Sequence, residues 1–185
     1  MLQGVHITLR ARHTADLPVL LAELYDDVPT RARADSRPWR PIPPGSAHSP
    51  YAVAEPADEA ACFSVVETAT GELAGEALLW GVDTHNRSAH VGLALRPRHR
   101  RRGFAPDVLG VLCHYAFPVL GLRRLQLETL ADNAPMLRAA ATAGFTVEGR
   151  LRRAAWAYGE FVDQVVLGLL AEEWPAGGRD GGAAG

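Results

Sequence analysis

The sequence predicts an α/β chain built around a mixed sheet. Three observations carry that prediction. Strand-like segments outnumber helical ones, and helices interrupt them without strict alternation, so both parallel and antiparallel pairs are required. The two helices of the second half open at prolines, Pro106 and Pro135, and close at glycines, Gly121 and Gly144, the asymmetry expected of helix ends. Finally, 185 residues with 48% hydrophobic and 22% charged side chains suit one globular domain with its own core.

The elements follow in order. Val5–Leu9 alternates as a strand. Thr14 caps a helix with Asp16 and Pro18 near its start, and Leu17, Leu20, Leu21 and Leu24 form its buried stripe. It ends near Asp26. Between Val28 and Glu59 seven prolines forbid a long helix or a central strand. Trp39 and Tyr51 favour a packed loop there, with room for a short helix. Cys62–Val66 and Leu73–Val82 read as hairpin partners around Thr70-Gly71, and Ala89–Leu95 as the next strand. A helix from Pro106 buries Val108, Val111, Leu112, Tyr115, Ala116 and Val119. Leu125–Leu130 is a strand, Asn133 precedes a short helix, and Phe145 starts another strand. Ala154–Tyr158 and Phe161–Leu169 form a hairpin turning at Tyr158-Gly159. Residues 1–174 make the domain, and 175–185, rich in Gly and Ala, a disordered tail.

Composition narrows the function. A net charge of -2 gives no global drive toward nucleic acid or membrane. No apolar run approaches a membrane span, and the N-terminus lacks the pattern of a signal peptide. Cys62 and Cys113 are isolated, which suits a reducing cytoplasm and offers no metal cluster. All 19 basic residues are arginine, which excludes Schiff-base chemistry and a Walker-type loop. From Glu55 to Asp83 there are seven acids and no arginine; from Arg87 to Arg102 there are six arginines and no acid. The first block favours a cation and the second an anion.

The run from Leu95 to Ala105 is the most informative. A strand ends in it, a basic glycine-containing turn follows, and a helix begins at Pro106. Backbone N–H groups in such a turn, with the positive end of the helix behind them, form an anion cradle. The spacing Arg100-x-x-Gly103-x-Ala105 resembles the signature of the GNAT acyl-CoA N-acetyltransferase superfamily. The strand Ala89–Leu93 resembles the superfamily's strand before that turn, and the segment Tyr115–Leu125, Asn133 with Gly144-Phe145, Glu148–Arg152 and Asp163 resemble, in order, its RimJ/RimL-like branch. The resemblance spans Val5 to Trp174. It departs at three places: Pro106 removes a donor from the cradle, His90 replaces the strand acid, and Met136 replaces a serine three residues after Asn133.

The resemblance implies a mostly antiparallel central sheet with splayed parallel strands and flanking helices. It implies acetyl-CoA as co-substrate, with Leu93, Ala94 and Leu95 along the splay, Arg100, Arg101, Arg102, Gly103, Phe104 and Ala105 on the pyrophosphate, Asn133 on the pantetheine arm, and Arg138 as a further cofactor-binding residue. The acceptor is a primary amine, on a small molecule or a protein N-terminus, and no metal is needed. Two residues compete as the proton acceptor: His90, whose ordinary pKa is ~6.5, and Glu128 on the neighbouring strand. Trp39 and Trp80 are candidates for the acceptor wall. The loss of the serine keeps open an alternative, an acyl-CoA-binding regulator of weak activity on the same fold. A nucleic-acid binder lacks the basic charge and motifs such proteins carry. The sequence is compatible with a monomer or a homodimer.

Overall fold

The computed structural model describes residues 1–174 apart from Ser36, Pro44 and Ala54; the expected tail, 175–185, lies outside the described residues. The short strand β1 (Leu2–Gln3) pairs with β2 (Ile7–Ala11). A helical run follows in three pieces, Thr14–Asp16, α1 (Leu17–Leu20) and Leu21–Tyr25. Thr14 lies inside this run; the cap is His13, whose N–H donates to the Asp16 carboxylate at 2.9 Å. α2 (Val28–Ala34) then forms within the proline-rich region. Pro29 sits in its first turn, where a missing N–H costs nothing, and Asp27 accepts from Thr30 N–H at 3.3 Å.

β3 (Ala60–Glu67), β4 (Leu73–Asp83) and β5 (Ser88–Leu95) form an antiparallel meander. α3 (Phe104–His114) starts two residues before the expected Pro106, because Gly103 takes the cap position in the left-handed region at φ 78. Pro106 is then a first-turn residue whose N–H would have had no helical acceptor. The helix runs on through Tyr115–Val119 and stops at Gly121, whose φ is 68. β6 (Arg124–Leu130) and α4 (Ala134–Thr142) follow. The chain closes with β7 (Thr146–Ala157) and β8 (Glu160–Leu170). Instead of starting afresh near Ala154, β7 is one long strand with breaks in register that absorb extra residues.

The sheet has eight strands in the order β1-β2-β3-β4-β5-β6-β8-β7. Its neighbours are antiparallel except β5 and β6. One face packs against α3 and α4 through Val91, Leu125, Leu127, Val108, Leu112 and Ala140. The other face carries a smaller cluster of Leu20, Leu24, Tyr25 and Tyr51, with Trp39, Ile42 and Ala94 against it.

The N-terminal segment is tied to α3 by one carboxylate. Asp107 accepts from Val5 N–H at 3.0 Å, His6 N–H at 2.7 Å and Ile7 N–H at 3.1 Å. Gly4 passes so close that a Cβ there would meet the carboxylate at 2.6 Å. Asp107 therefore does more than complement the helix dipole: it fixes the first turn of α3 against β2.

Candidate active site

The site begins where the one parallel pair comes apart. Ser88, Ala89 and His90 pair with Arg124, Leu125 and Gln126, and the ladder ends there. β5 continues against β4 as far as Leu95, and β6 against β8 as far as Leu130. The two inner edges diverge, so backbone donors and acceptors from Val91 to Leu95 have no ladder across the gap. Such groups want partners, and an extended ligand can supply them. Leu93 and Leu95 pack toward the larger core and Ala94 toward the smaller one; Ala94 lies opposite Glu76 in the β4 ladder, so the alternate residues Leu93 and Leu95 turn backbone groups to the gap.

The carboxyl ends of both parallel strands open on the same side, where ligands of α/β sheets collect. After β5 comes the basic turn. Arg100, Arg101, Arg102 and Gly103 are exposed. Arg101 (φ 60) and Gly103 (φ 78) both lie in the left-handed region, a conformation that turns successive N–H groups into a concave nest. A Cβ on Gly103 would find no protein atom within 4 Å; the backbone conformation, not crowding, asks for glycine. Ala105 is the second residue of α3. The Phe104 ring is 4% exposed and sits between the Arg102 guanidinium at 4.9 Å and the His99 ring at 6.2 Å, so only its backbone faces the nest. Arg100 folds back to donate from Nε to Leu95 O at 2.9 Å. Arg102 pairs with Glu67.

After β6 comes Asn133. It caps α4, accepting from Met136 N–H at 3.3 Å while its Nδ2 donates to Thr129 at 3.0 Å. The amide is thus held at the mouth by two internal bonds. Met136 packs against the larger core and offers no proton. Arg138 is exposed on α4.

The opposite face of the sheet carries the other expected residues. Strand register places Trp80, His90 and Gln126 side by side, with Glu128 two residues further along β6. The Trp80 indole stacks on the His90 ring at 5.4 Å. Gly92 makes room for it: a Cβ there would lie 2.8 Å from the indole. Glu128 is exposed and accepts from Gln126 and Gln164, each at 2.9 Å. His90 and Glu128 are therefore brought to one face, His90 at the point where the splay begins. Trp39 packs in the smaller core, 6.2 Å from Tyr25, and its buried indole N–H has no hydrogen-bond partner among the described residues.

The sequence reading missed a polar cluster beneath this face. Glu76, opposite Ala94, bonds to the buried Arg12 at 2.9 Å. Burial pushes the Glu76 carboxyl above its ordinary range, with Arg12 opposing. Arg12 and Arg31 lie over the Tyr51 and Tyr25 rings at 5.5 and 5.0 Å. Arg31 also pairs with Asp35. The available signal was a lone acid in the apolar run Leu73–Leu79. The partners, 64 residues apart for Arg12 and Glu76, carry no local signature. The acidic block also looks different once folded: Glu67, Glu76 and Asp83 bond to Arg102, Arg12 and Asn86, so these three do not form an open acidic surface that steers an amine acceptor.

Known proteins share this architecture. Residues 6–146 match the acetyltransferase (GNAT) domain family. An uncharacterized N-acetyltransferase p20 of Bacillus licheniformis is 30% identical over 112 residues, 60% of this chain and 63% of that protein. Spermidine N(1)-acetyltransferase of Vibrio cholerae serotype O1 is 28% identical over 110 residues, 60% of this chain and 64% of that protein. The matches thus span a little under two thirds of those relatives' length. The crystal structure of spermidine N-acetyltransferase from Vibrio cholerae in complex with CoA and spermine superposes with a TM-score of 0.76 at 21% identity, covering 91% of this chain and 97% of that one. Sheet order, splay and family match agree, and the chain belongs to the GNAT acetyltransferase family.

Proposed function

We propose that residues 1–174 form one GNAT domain that moves an acetyl group from acetyl-CoA to a primary amine within a ternary complex. The observation that carries this is the end of the β5–β6 ladder after His90 and Gln126, with a basic nest at the mouth. Leu93 and Leu95, with Ala94 between them, bind the pantetheine arm through their backbone, and a Leu93 N–H polarises the thioester carbonyl. Arg100–Ala105 hold the pyrophosphate, with Arg138 beside it and Asn133 near the arm. The amine nitrogen bonds to the acyl carbon, the carbon–sulfur bond breaks, and the thiolate leaves. The ammonium proton goes to His90, or through water to Glu128. Trp39 and Trp80 line the acceptor side.

The finer reading places the chain in the RimJ/RimL-like branch. The acceptor is a small-molecule amine or a protein N-terminus, and the named relatives make spermidine the first amine to try. Among the described residues no helix is long and apolar enough to cross a membrane. The free thiols Cys62 and Cys113 suit a cytoplasmic protein working as a monomer or homodimer. The test is thiol release from acetyl-CoA across polyamines, small amines and N-terminal peptides. Release with one class supports transfer. Tight CoA binding without release from any of them supports the regulator instead, a reading favoured by the apolar Met136 where the family has a serine.

A further inference from the structure

His99 stands out among the buried polar groups. It is 1% exposed, and among the described residues neither ring nitrogen has a hydrogen-bond partner. Its Nε2 lies 3.5 Å from an oxygen of Glu72 and 3.8 Å from one of Glu67. One ligand atom from each of the three residues falls within 4.8 Å of the others. Donors bound to a shared cation at about 2.1 Å stand ~3.4 Å apart at the tetrahedral angle. The two distances from His99 come close to that value, and a small movement of the carboxylates would let all three groups share one cation.

We propose that Glu67, Glu72 and His99 bind a divalent cation of the zinc class, through one imidazole nitrogen and two carboxylate oxygens. The donor set suits Zn²⁺ and, with water completing the shell, Mn²⁺. Three arginines neighbour the site. Arg96 is occupied by Glu23. Arg102 pairs with Glu67, which also accepts from Thr70 at 3.1 Å. Arg98 approaches Glu72 at 3.6 Å. The Arg98 and Arg102 side chains are 56% and 45% exposed, so both can turn to solvent when a cation takes the carboxylates.

The position gives the cation a role. Glu67 ends β3 and Glu72 precedes β4, so both flank one hairpin turn. His99 closes the short helix Pro97–His99, one residue before the basic nest. A cation joining them clips the nest to the sheet. The role is structural: the site adjoins the nest and lies apart from His90 and Glu128.

Metal-free full-length protein titrated with Zn²⁺, and separately with Mn²⁺, in a calorimeter tests this. One ion per chain is expected, with at least tenfold weaker binding in Glu72→Gln and in His99→Gln. Arg98→Ala removes a competitor for Glu72 and is expected to bind more tightly, an effect that a general loss of structure does not produce. Exposed His48 and His85 serve as controls, and their alanine variants are expected to match the wild type. Glu72 is exposed, so its variant decides the matter if His99→Gln does not fold. Absence of stoichiometric binding by both ions, or binding that Glu72→Gln leaves within threefold of wild type, overturns the proposal.

Discussion

Asp107→Asn tests how the fold holds the first turn of α3 in place. In the wild type one carboxylate oxygen accepts from Val5 N–H and the other from His6 and Ile7 N–H. With the amide oxygen turned to His6 and Ile7, the NH₂ group faces the Val5 N–H, and that bond is lost. A hydrogen bond to a charged group is worth ~1.5–3 kcal/mol and a neutral one ~0.5–1.5 kcal/mol. One lost bond and two weakened ones therefore sum to about 4 kcal/mol. For a chain of this size that lowers Tm by roughly 8–16 °C, at about 2–4 °C per kcal/mol. Gly4→Ala pushes a methyl group against the same carboxylate, 2.6 Å away, and breaks the clasp from the other side. Urea unfolding of wild type, both single variants and the double variant measures the effect. The double variant should lose clearly less than the sum, because both changes remove the same contact. A loss below 1 kcal/mol in Asp107→Asn, or full additivity, would refute the clasp.

Three further predictions concern charge and chemistry. Burial works to raise the Asp16 carboxyl, but hydrogen bonds from Arg10, His13 N–H and Ser64 hold it well below the usual carboxylate range. Its stabilisation is therefore present above the unfolded value of ~3.9 and is lost as pH falls through the folded one. Unfolding free energies from pH 7 to pH 2 should fall more steeply in wild type than in Asp16→Asn, and parallel curves would contradict this. His90→Ala should lower turnover at neutral pH at least tenfold, ~1.4 kcal/mol of barrier, with CoA affinity unchanged. If instead the acidic limb of the pH–rate profile survives in His90→Ala and vanishes in Glu128→Gln, the carboxylate is the base. Trp39→Ala should raise KM for the amine more than for acetyl-CoA, and equal effects would remove Trp39 from the acceptor wall.

Local patterns were legible in the sequence. The β3–β4 hairpin followed from alternation around a Thr-Gly turn, and the stops at Gly121 and Gly144 followed from their permitted positive φ. Boundaries were less secure. The left-handed Gly103 lets α3 begin before its proline, and Pro29 is harmless in the first turn of α2. Long-range contacts were not legible. Asp107 reaches back about 100 residues to the N-terminal strand, and only the folded chain brings Arg12 to Glu76 or His99 to Glu67. Of the site, the nest and the strand bearing His90 could be read because their residues are adjacent in sequence. The polar cluster of Arg12, Glu76, Arg31 and Asp35 beside the proposed acceptor side is assembled from distant segments, and its charge pairs leave no spacing to recognise. The splay itself is a difference in pairing between two strands, which neither strand encodes alone.

The most direct test of the cofactor site is a calorimetric titration of CoA into wild type and Gly103→Val. Valine at φ 78 costs about 1–2 kcal/mol in backbone strain, and its side chain meets no protein atom within 4 Å, so the variant is expected to perturb the turn proposed to hold the pyrophosphate without a clash against the protein. Circular dichroism confirms that both proteins are folded. The expected result is saturable binding to wild type and at least a tenfold rise in Kd for the folded variant. Equal affinities would contradict the placement of CoA at this turn.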